Sequence, residues 1–392
     1  MRLLFVTPYF PPTAGSGVQR GAKFVKYLLR AGWDVRVVTI DPGAYPDEDP
    51  ELAAEVEDAP VTIAGRSRMP GVEQTVLRAL PGMRTAIGRE MRDHRPDVVL
   101  ATTPDYHWTL VAEVALRRRI PFALDYPDPW TVLPEDFRTS SGPTKLKSKA
   151  KWATAPQVEQ RLLDRAAFAT FATELIQREY VLARYLSAKK AHVLENGFDE
   201  EDFAGLRSSA PEGVIRVSHV GSFAGGRTPL RAARAVARAA ELRPDLSFEL
   251  ELIGSGVEEH VRELESALGE IPLRLRGWVS HGDAVRAMCS ATVLWLDATT
   301  SLRWSSPAKV YEYLRSGRPI LGLTRSDAPA AQLIRRFQAG IALDTEDAEA
   351  AGAALVELGT SFPRPRDPEE LSYYSSEALA ARLSDLLTSA IG

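Results

Sequence analysis

Cysteine is almost absent from this sequence: Cys289 is the only one in 392 residues. A lone thiol excludes an internal disulfide framework and any cysteine-based zinc site, and it fits a reducing compartment. Net charge is also scarce, since 48 basic and 52 acidic residues leave only -4. That near balance argues against the strongly basic face with which proteins hold nucleic acid, so no nucleic-acid partner is expected. A local anion site is not excluded. No segment approaches the roughly 18 uninterrupted apolar residues that a membrane helix needs. The opening Met1–Val6 run gives way to Pro8 and Pro11-Pro12, too soon for the apolar region of a signal peptide. A cytoplasmic protein is expected. Lysine is rare too, nine against 39 arginines, a compositional bias that carries no chemistry by itself.

The sequence is rich in the alternation of short β-branched runs with longer amphipathic stretches, which marks repeated βα units around a parallel sheet. Strands are predicted at residues 2–7, 35–39, 97–101, 121–125, 167–171 and 191–194. A helix from about Val18 to Ala31 lies between the first two, closed by Gly32. Residues 195–213 break the pattern with Asn196-Gly197, a cluster of acids, Ser208-Ser209 and Pro211. The grammar then restarts, with strands near 214–220, 247–253, 272–275, 292–296 and 319–323. The length suits two cores rather than one. The expected fold is therefore α/β, with two Rossmann-like doubly wound parallel-sheet domains, 1–200 and 201–370. A closing amphipathic helix lies within 371–392. Ligands of such sheets bind beyond the carboxyl ends of the strands, and two facing edges would make a central cleft.

Three loops after predicted strands have the composition of anion sites. Residues 8–17 carry Gly15 and Gly17, which let backbone amides approach a ligand from a helix start. There is no G-x-G-x-x-G spacing, which argues against a dehydrogenase; an ordinary glycine turn is the other reading. Residues 217–229 run from a strand end through Gly221 and Ser222 to Arg227, with Thr228 as a helix cap and Pro229 as first helical residue. Free amides beside a guanidinium suit a diphosphate, and a surface ion pair is the alternative. In residues 303–319, Ser306 and Pro307 read as cap and first helical residue of a second amide-rich helix end. Lys309 and Glu312 share one face of that helix, either as an intrahelical ion pair or with Glu312 accepting both hydroxyls of a ribose.

Taken in order, these segments resemble glycosyltransferase family 4, nucleotide-sugar enzymes of the two-domain GT-B fold. The matches are VTPYFPPTAGSG at 6–17, LDYPDPW at 124–130, ENGFD at 195–199, GSFAGGRT at 221–228 and KVYEYLRSGRPIL at 309–321. LDYPDPW is similar to an Asp-Phe-Arg-Asp-Pro-Trp segment of one branch of the family. The resemblance implies that Arg227 and Lys309 contact the donor diphosphate, that Glu312 binds the ribose, and that Gly15 and Gly17 pack against the donor. It also implies retaining, metal-independent transfer, with no cofactor beyond the nucleoside diphosphate sugar, to a small-molecule or glycan acceptor. The last helix would cross back to the first domain.

Two positions depart from the family. Many relatives carry a glutamate where this chain has Trp304, so the donor sugar does not carry over. Pro127 stands where the branch has arginine. For catalysis the first candidate is Asp128, in the loop where relatives present a polar residue to the sugar, followed by Asp105 and His107 in TTPDYHW. A structural turn at Asp128 and a helix cap at Asp105 are the competing readings. Lys145, Lys147, Lys149 and Lys151 alternate before Trp152, as a solvated face or as a contact with an anionic acceptor or membrane surface. The rival functions are a sugar-nucleotide epimerase or phosphorylase, and a non-catalytic nucleotide-sugar-binding protein.

Overall fold

The structure is a computed structural model describing residues 1–40, 48–64, 72–102, 107–132, 145–206, 209–223, 227–298, 304, 306–360 and 367–392. Among them the chain divides into two compact units, Met1–Asn196 with Ser376–Gly392, and Gly197–Ser375.

The first unit is built on seven parallel strands, β1 (Arg2–Val6), β2 (Asp34–Thr39), β3 (Val61–Ile63), β4 (Val98–Thr102), β5 (Phe122–Tyr126), β6 (Ala169–Phe171) and β7 (Ala191–Val193). Their order is β3-β2-β1-β4-β5-β6-β7. Helices α1 (Ser16–Arg30), α2 (Pro50–Ala54), α3 (Val72–Asp93), α4 (His107–Arg118), α5 (Lys145–Arg165) and α6 (Glu174–Leu182) connect or follow them. Leu3, Leu4, Phe5 and Val6 are all fully buried, because helices cover both faces of a parallel sheet and leave the side chains of an inner strand little contact with water. Phe5 registers with Val37 on one side and Leu100 on the other.

Helix α1 starts two residues before its predicted first residue. Gly15 turns the chain at φ +124, and Ser16 is already helical. Val18, Ala22, Val25 and Leu28 fall on one face and are buried. The helix stops where predicted: Gly32 takes φ +82 and donates to Leu29 O at 2.9 Å, while Trp33 N donates to Leu28 O at 3.0 Å.

The second unit has six parallel strands, β8 (Ile215–Val220), β9 (Phe248–Ile253), β10 (Leu273–Arg276), β11 (Val293–Ala298), β12 (Ile320–Thr324) and β13 (Gly340–Leu343). Their order is β10-β9-β8-β11-β12-β13, which repeats the scheme of the first sheet. Helices α7 (Leu230–Leu242), α8 (Val261–Leu268), α9 (His281–Ser290), α10 (Ala308–Ser316), α11 (Pro329–Arg336), α12 (Ala348–Thr360) and α13 (Pro368–Ser372) belong to it. In both sheets the order turns back beside the first strand, between β1 and β4 and between β8 and β11. Such a reversal leaves a crevice at the carboxyl edge, because the connections on either side leave in opposite directions.

The last helix, α14 (Ser376–Ile391), returns to the first unit as the resemblance implied. Leu379, Ala380, Leu383 and Leu387 join one apolar core with Leu3, Phe5, Val25 and Leu28. Trp33 Nε1 donates to Ser384 Oγ at 2.9 Å, so the seam also has a directional bond. No described helix is long and apolar enough to cross a membrane.

Candidate functional site

In the second unit the reversal point gathers the predicted anion-binding residues. β8 ends at Val220, and Gly221 continues at φ +126, donating its N–H to Ile253 O at 2.8 Å. That backbone angle favours glycine, and a side chain there would also have to displace the end of Lys309. An L-residue rarely adopts the angle, and a β-carbon there would collide with Lys309 Nζ and lie 2.9 Å from Lys309 Cε. The loop after β9 closes on the loop after β8 with equal tightness: a β-carbon on Gly254 would lie 2.5 Å from Gly221 O. Ser222 is exposed, and its hydroxyl accepts from Ser255 Oγ at 2.8 Å.

Lys309 reaches Gly221 from the first turn of α10, so the segments after β8 and β11 meet at one ammonium group. That helix is seated by Tyr313, whose buried hydroxyl accepts from Val220 N at 3.0 Å. The tyrosines flanking Glu312 are thus core residues, Tyr311 and Tyr313 being 2% and 0% exposed, and they turn Glu312 toward the other face. Burial pushes the Lys309 ammonium down to about 7; the Arg227 guanidinium pushes the same way, and Glu312 and Asp297 oppose it. His219, fully buried beneath, is held well below its ordinary value by burial and then by Lys309. Its ring stacks on Phe223 at 4.2 Å, and its Nδ1 lies 3.1 Å from Trp295 O. Asp297, at the end of β11, pairs with Arg231 at 3.2 Å. Glu312 lies 3.4 Å from His281 Nε2, which is also 3.0 Å from Asp202 Oδ2.

The helix starts differ from the sequence reading. Before α7 the expected arrangement holds in substance: Pro229 has helical angles, and Thr228 Oγ1 accepts from Leu230 N at 3.3 Å. Before α10 it does not. Pro307 has φ -54 and ψ 133, so it is not helical; the helix begins at Ala308, and no side chain caps it. Ser306 is therefore not the cap, and it is fully buried.

In the first unit Gly15 and Gly17 flank the start of α1, with open space where a β-carbon of Gly15 would stand. The strongest feature of this carboxyl edge is one the sequence reading missed. Arg20 of α1 makes a two-pronged ion pair with Asp125 of β5, Nε to Oδ2 at 3.0 Å and a terminal nitrogen to Oδ1 at 2.7 Å. It also donates to Leu194 O at 2.7 Å, Glu195 O at 2.6 Å and Asn196 Oδ1 at 3.2 Å. Thr102 and Thr170 each donate to Asp125 at 2.7 Å. Burial alone would raise the Asp125 carboxyl, but the Arg20 charge and bonds, with both threonines, hold it below its usual range. Arg20 thus ties α1 to the ends of β5 and β7.

Three residues beyond Asp125, Asp128 is exposed. His107 opens α4 with no exposed surface; its Nε2 lies 3.3 Å from Thr102 O, and burial lowers it to about 4. A neutral imidazole sealed from solvent cannot meet a substrate without movement of its surroundings. Asp105 lies outside the described residues, as do the side chains of the lysine-rich run 145–152.

Two parallel sheets that share one strand order over six strands, each with a reversal at its carboxyl edge, define a GT-B-fold protein. Residues 16–197 match the family model of the glycosyl transferase 4-like domain. No curated protein matches it. Among solved structures it is similar to WaaG, a glycosyltransferase involved in lipopolysaccharide biosynthesis, with 13% identity, TM-score 0.64, and 98% of this chain and 99% of that one covered. A sucrose-phosphate synthase from Thermosynechococcus elongatus matches with 16% identity, TM-score 0.59 and 99% of each chain covered. A UDP-GlcNAc 2-epimerase from Neisseria meningitidis matches with 11% identity, TM-score 0.59, and 99% of this chain and 100% of that one covered. At these identities the likeness is one of fold.

Proposed function

We propose that the protein transfers a sugar from a nucleoside diphosphate sugar to an acceptor hydroxyl or amine, with retention at the anomeric carbon and without a metal ion. The observation that carries this reading is the Lys309 ammonium, seated on Gly221 at the reversal point and driven down to about 7 by burial and by Arg227. Two cations that destabilise one another in a glycine-lined crevice are relieved by a ligand bearing two negative charges. A diphosphate has that charge, and Glu312 supplies a carboxylate suited to the two ribose hydroxyls.

In the reaction the bond between the anomeric carbon and the diphosphate oxygen breaks, and its electron pair leaves with the phosphate. Lys309 and Arg227 stabilise that charge as it develops, the task a divalent ion performs elsewhere. The acceptor oxygen or nitrogen bonds to the same face of the anomeric carbon, and its proton passes to the departing phosphate. Asp128 is assigned to the sugar or acceptor, being the exposed carboxylate of the loop after β5 while Asp125 is spent on Arg20.

A panel of nucleotide sugars tested by thermal shift selects the donor, since a ligand of the native state raises the melting temperature. Arg227→Ala and Glu312→Ala should each weaken that donor about 10- to 150-fold, the equivalent of roughly 1.5–3 kcal/mol for a bond to a charged group. Asp128→Asn should keep donor affinity and lose rate. Product analysis must show a new glycoside rather than an altered free nucleotide sugar. Unchanged donor affinity in both second-unit variants would overturn the donor site.

A further inference from the structure

We infer that Glu159 is a positioning residue that presents Asp128, by holding the far end of the loop on which Asp128 stands; the inference rests on the role given to Asp128 above. The loop leaves β5 at Tyr126, which is fully buried, and re-enters the protein at Trp130 and Thr131, 6% and 0% exposed. Between these anchors stand Pro127 and Pro129, half-buried, and Asp128, exposed. Proline on either side fixes two backbone angles and leaves the loop short of N–H donors of its own. Both ends of the loop are tied to the protein by side chains.

At the near end the Tyr126 ring stacks on Phe171 at 5.0 Å and meets the edge of Trp108 at 4.8 Å. At the far end the ties are polar. Trp130 N donates to Tyr180 Oη at 2.9 Å, and Tyr180 Oη donates to Glu159 Oε1 at 2.6 Å. Thr131 Oγ1 donates to Glu159 Oε2. Tyr185 Oη lies 3.3 Å from Thr131 Oγ1. Glu159 comes from α5, has no exposed surface, and gives one carboxyl oxygen to each of the two residues that end the loop, one of them through Tyr180.

A carboxyl in this place is a poor way to fill space. Burial drives it up to about 7 against the pull of the Thr131 and Tyr180 hydrogen bonds, and an apolar side chain of similar volume would pack without that penalty. What an apolar residue cannot do is accept from Thr131 and Tyr180 together. Glutamine keeps the volume but offers one acceptor and an amide that faces a hydroxyl already committed as donor, so one of the two ties must rearrange.

The test uses the full chain with the donor chosen by thermal shift. Glu159→Gln and Tyr180→Phe should each lower kcat at least tenfold while donor KM stays within twofold, because the donor groups lie in the other unit. Asp128→Asn combined with Glu159→Gln should lose no more than Asp128→Asn alone, since Glu159 acts through Asp128. Amide exchange at Trp130 supplies a readout independent of activity: it should quicken in both variants. Slowed turnover with an additive double variant, or full turnover in folded Glu159→Gln and Tyr180→Phe, overturns the inference. If Trp130 exchange quickens as expected but wild-type protein transfers no sugar from any donor, the fault lies in the function proposed above. Trp130 exchange unchanged in both variants overturns the positioning itself.

Discussion

Replacing Arg20 by methionine removes the guanidinium and keeps most of the stem. The side chains of Arg20 and Asp125 are 8% and 1% exposed, so the carboxylate left behind cannot recover its loss from water. At about 3 Å and an effective dielectric of about 20, the direct attraction is roughly 5 kcal/mol. Relief of the arginine's own desolvation offsets part of it, while the carbonyls of Leu194 and Glu195 also lose a donor. The net cost should fall near the usual figure for breaking a buried pair on one side, about 3–5 kcal/mol. In a domain of about 150–250 residues that lowers the melting temperature by roughly 6–20 °C. Scanning calorimetry measures the shift, and amide exchange in β4 and β5 assigns it to the first unit. Arg20→Met with Asp125→Asn should recover much of the loss, because the isolated charge is gone. The pH dependence has a definite sign. A carboxyl held below its unfolded value adds stability above that value and loses it as pH falls through the native one, so the wild type should weaken in acid more than Arg20→Met. A cost under about 1 kcal/mol, or a double variant as unstable as the two singles together, would refute this account of the pair.

On the proposed function, Lys309 should make donor binding depend on pH. Its ammonium lies near 7 before the diphosphate arrives and must be charged afterwards, so titration calorimetry at pH 8 should record uptake of close to one proton, and affinity should fall up to about tenfold per pH unit above 7. A Lys309→Arg variant should bind without that uptake; zero uptake by the wild type would contradict the assignment. Leu383→Ala, at a fully buried position of α14, should cost about 2–5 kcal/mol by urea unfolding. A loss below about 1 kcal/mol would mean that the last helix is not part of the first core.

What the sequence disclosed was local. Inner strands are legible because burial on both faces forces an apolar run, as in Leu3–Val6 and in Val293–Ala298, where only Asp297 breaks it. The edge strands β3 and β13 were missed for the opposite reason. Val61–Ile63 has three residues and exposes two of them, and Gly340 opens β13 only because any β-carbon would strike Ile320. Helix ends follow the same rule: Gly32 announces its turn, whereas Arg95, Arg119 and Arg184 adopt φ 51, 56 and 60 with no mark in the sequence. At the candidate site the glycine loops and Lys309 could be read because each lies within one segment. Arg20 and Asp125 are 105 positions apart, and only the strand order brings them together. Glu159 reads as one more charge on a polar helix until the topology lays Thr131 and Tyr180 against it.

The two carboxyl edges then divide the work by how their charges are met. In the first unit the guanidinium of Arg20 is consumed by a carboxylate, two carbonyls and an amide oxygen, all supplied by the protein. Such a cation stiffens the edge and has nothing left to offer a substrate. In the second unit Lys309 is opposed by Arg227 and by burial more strongly than Glu312 and Asp297 support it, and Asp297 is already engaged with Arg231. Electrostatics thus favours the second unit as the place where an anion lowers the free energy of the protein, although both sheets offer the same topological crevice. The proposal that the donor binds there rests on that imbalance rather than on the presence of glycines, which the two edges share.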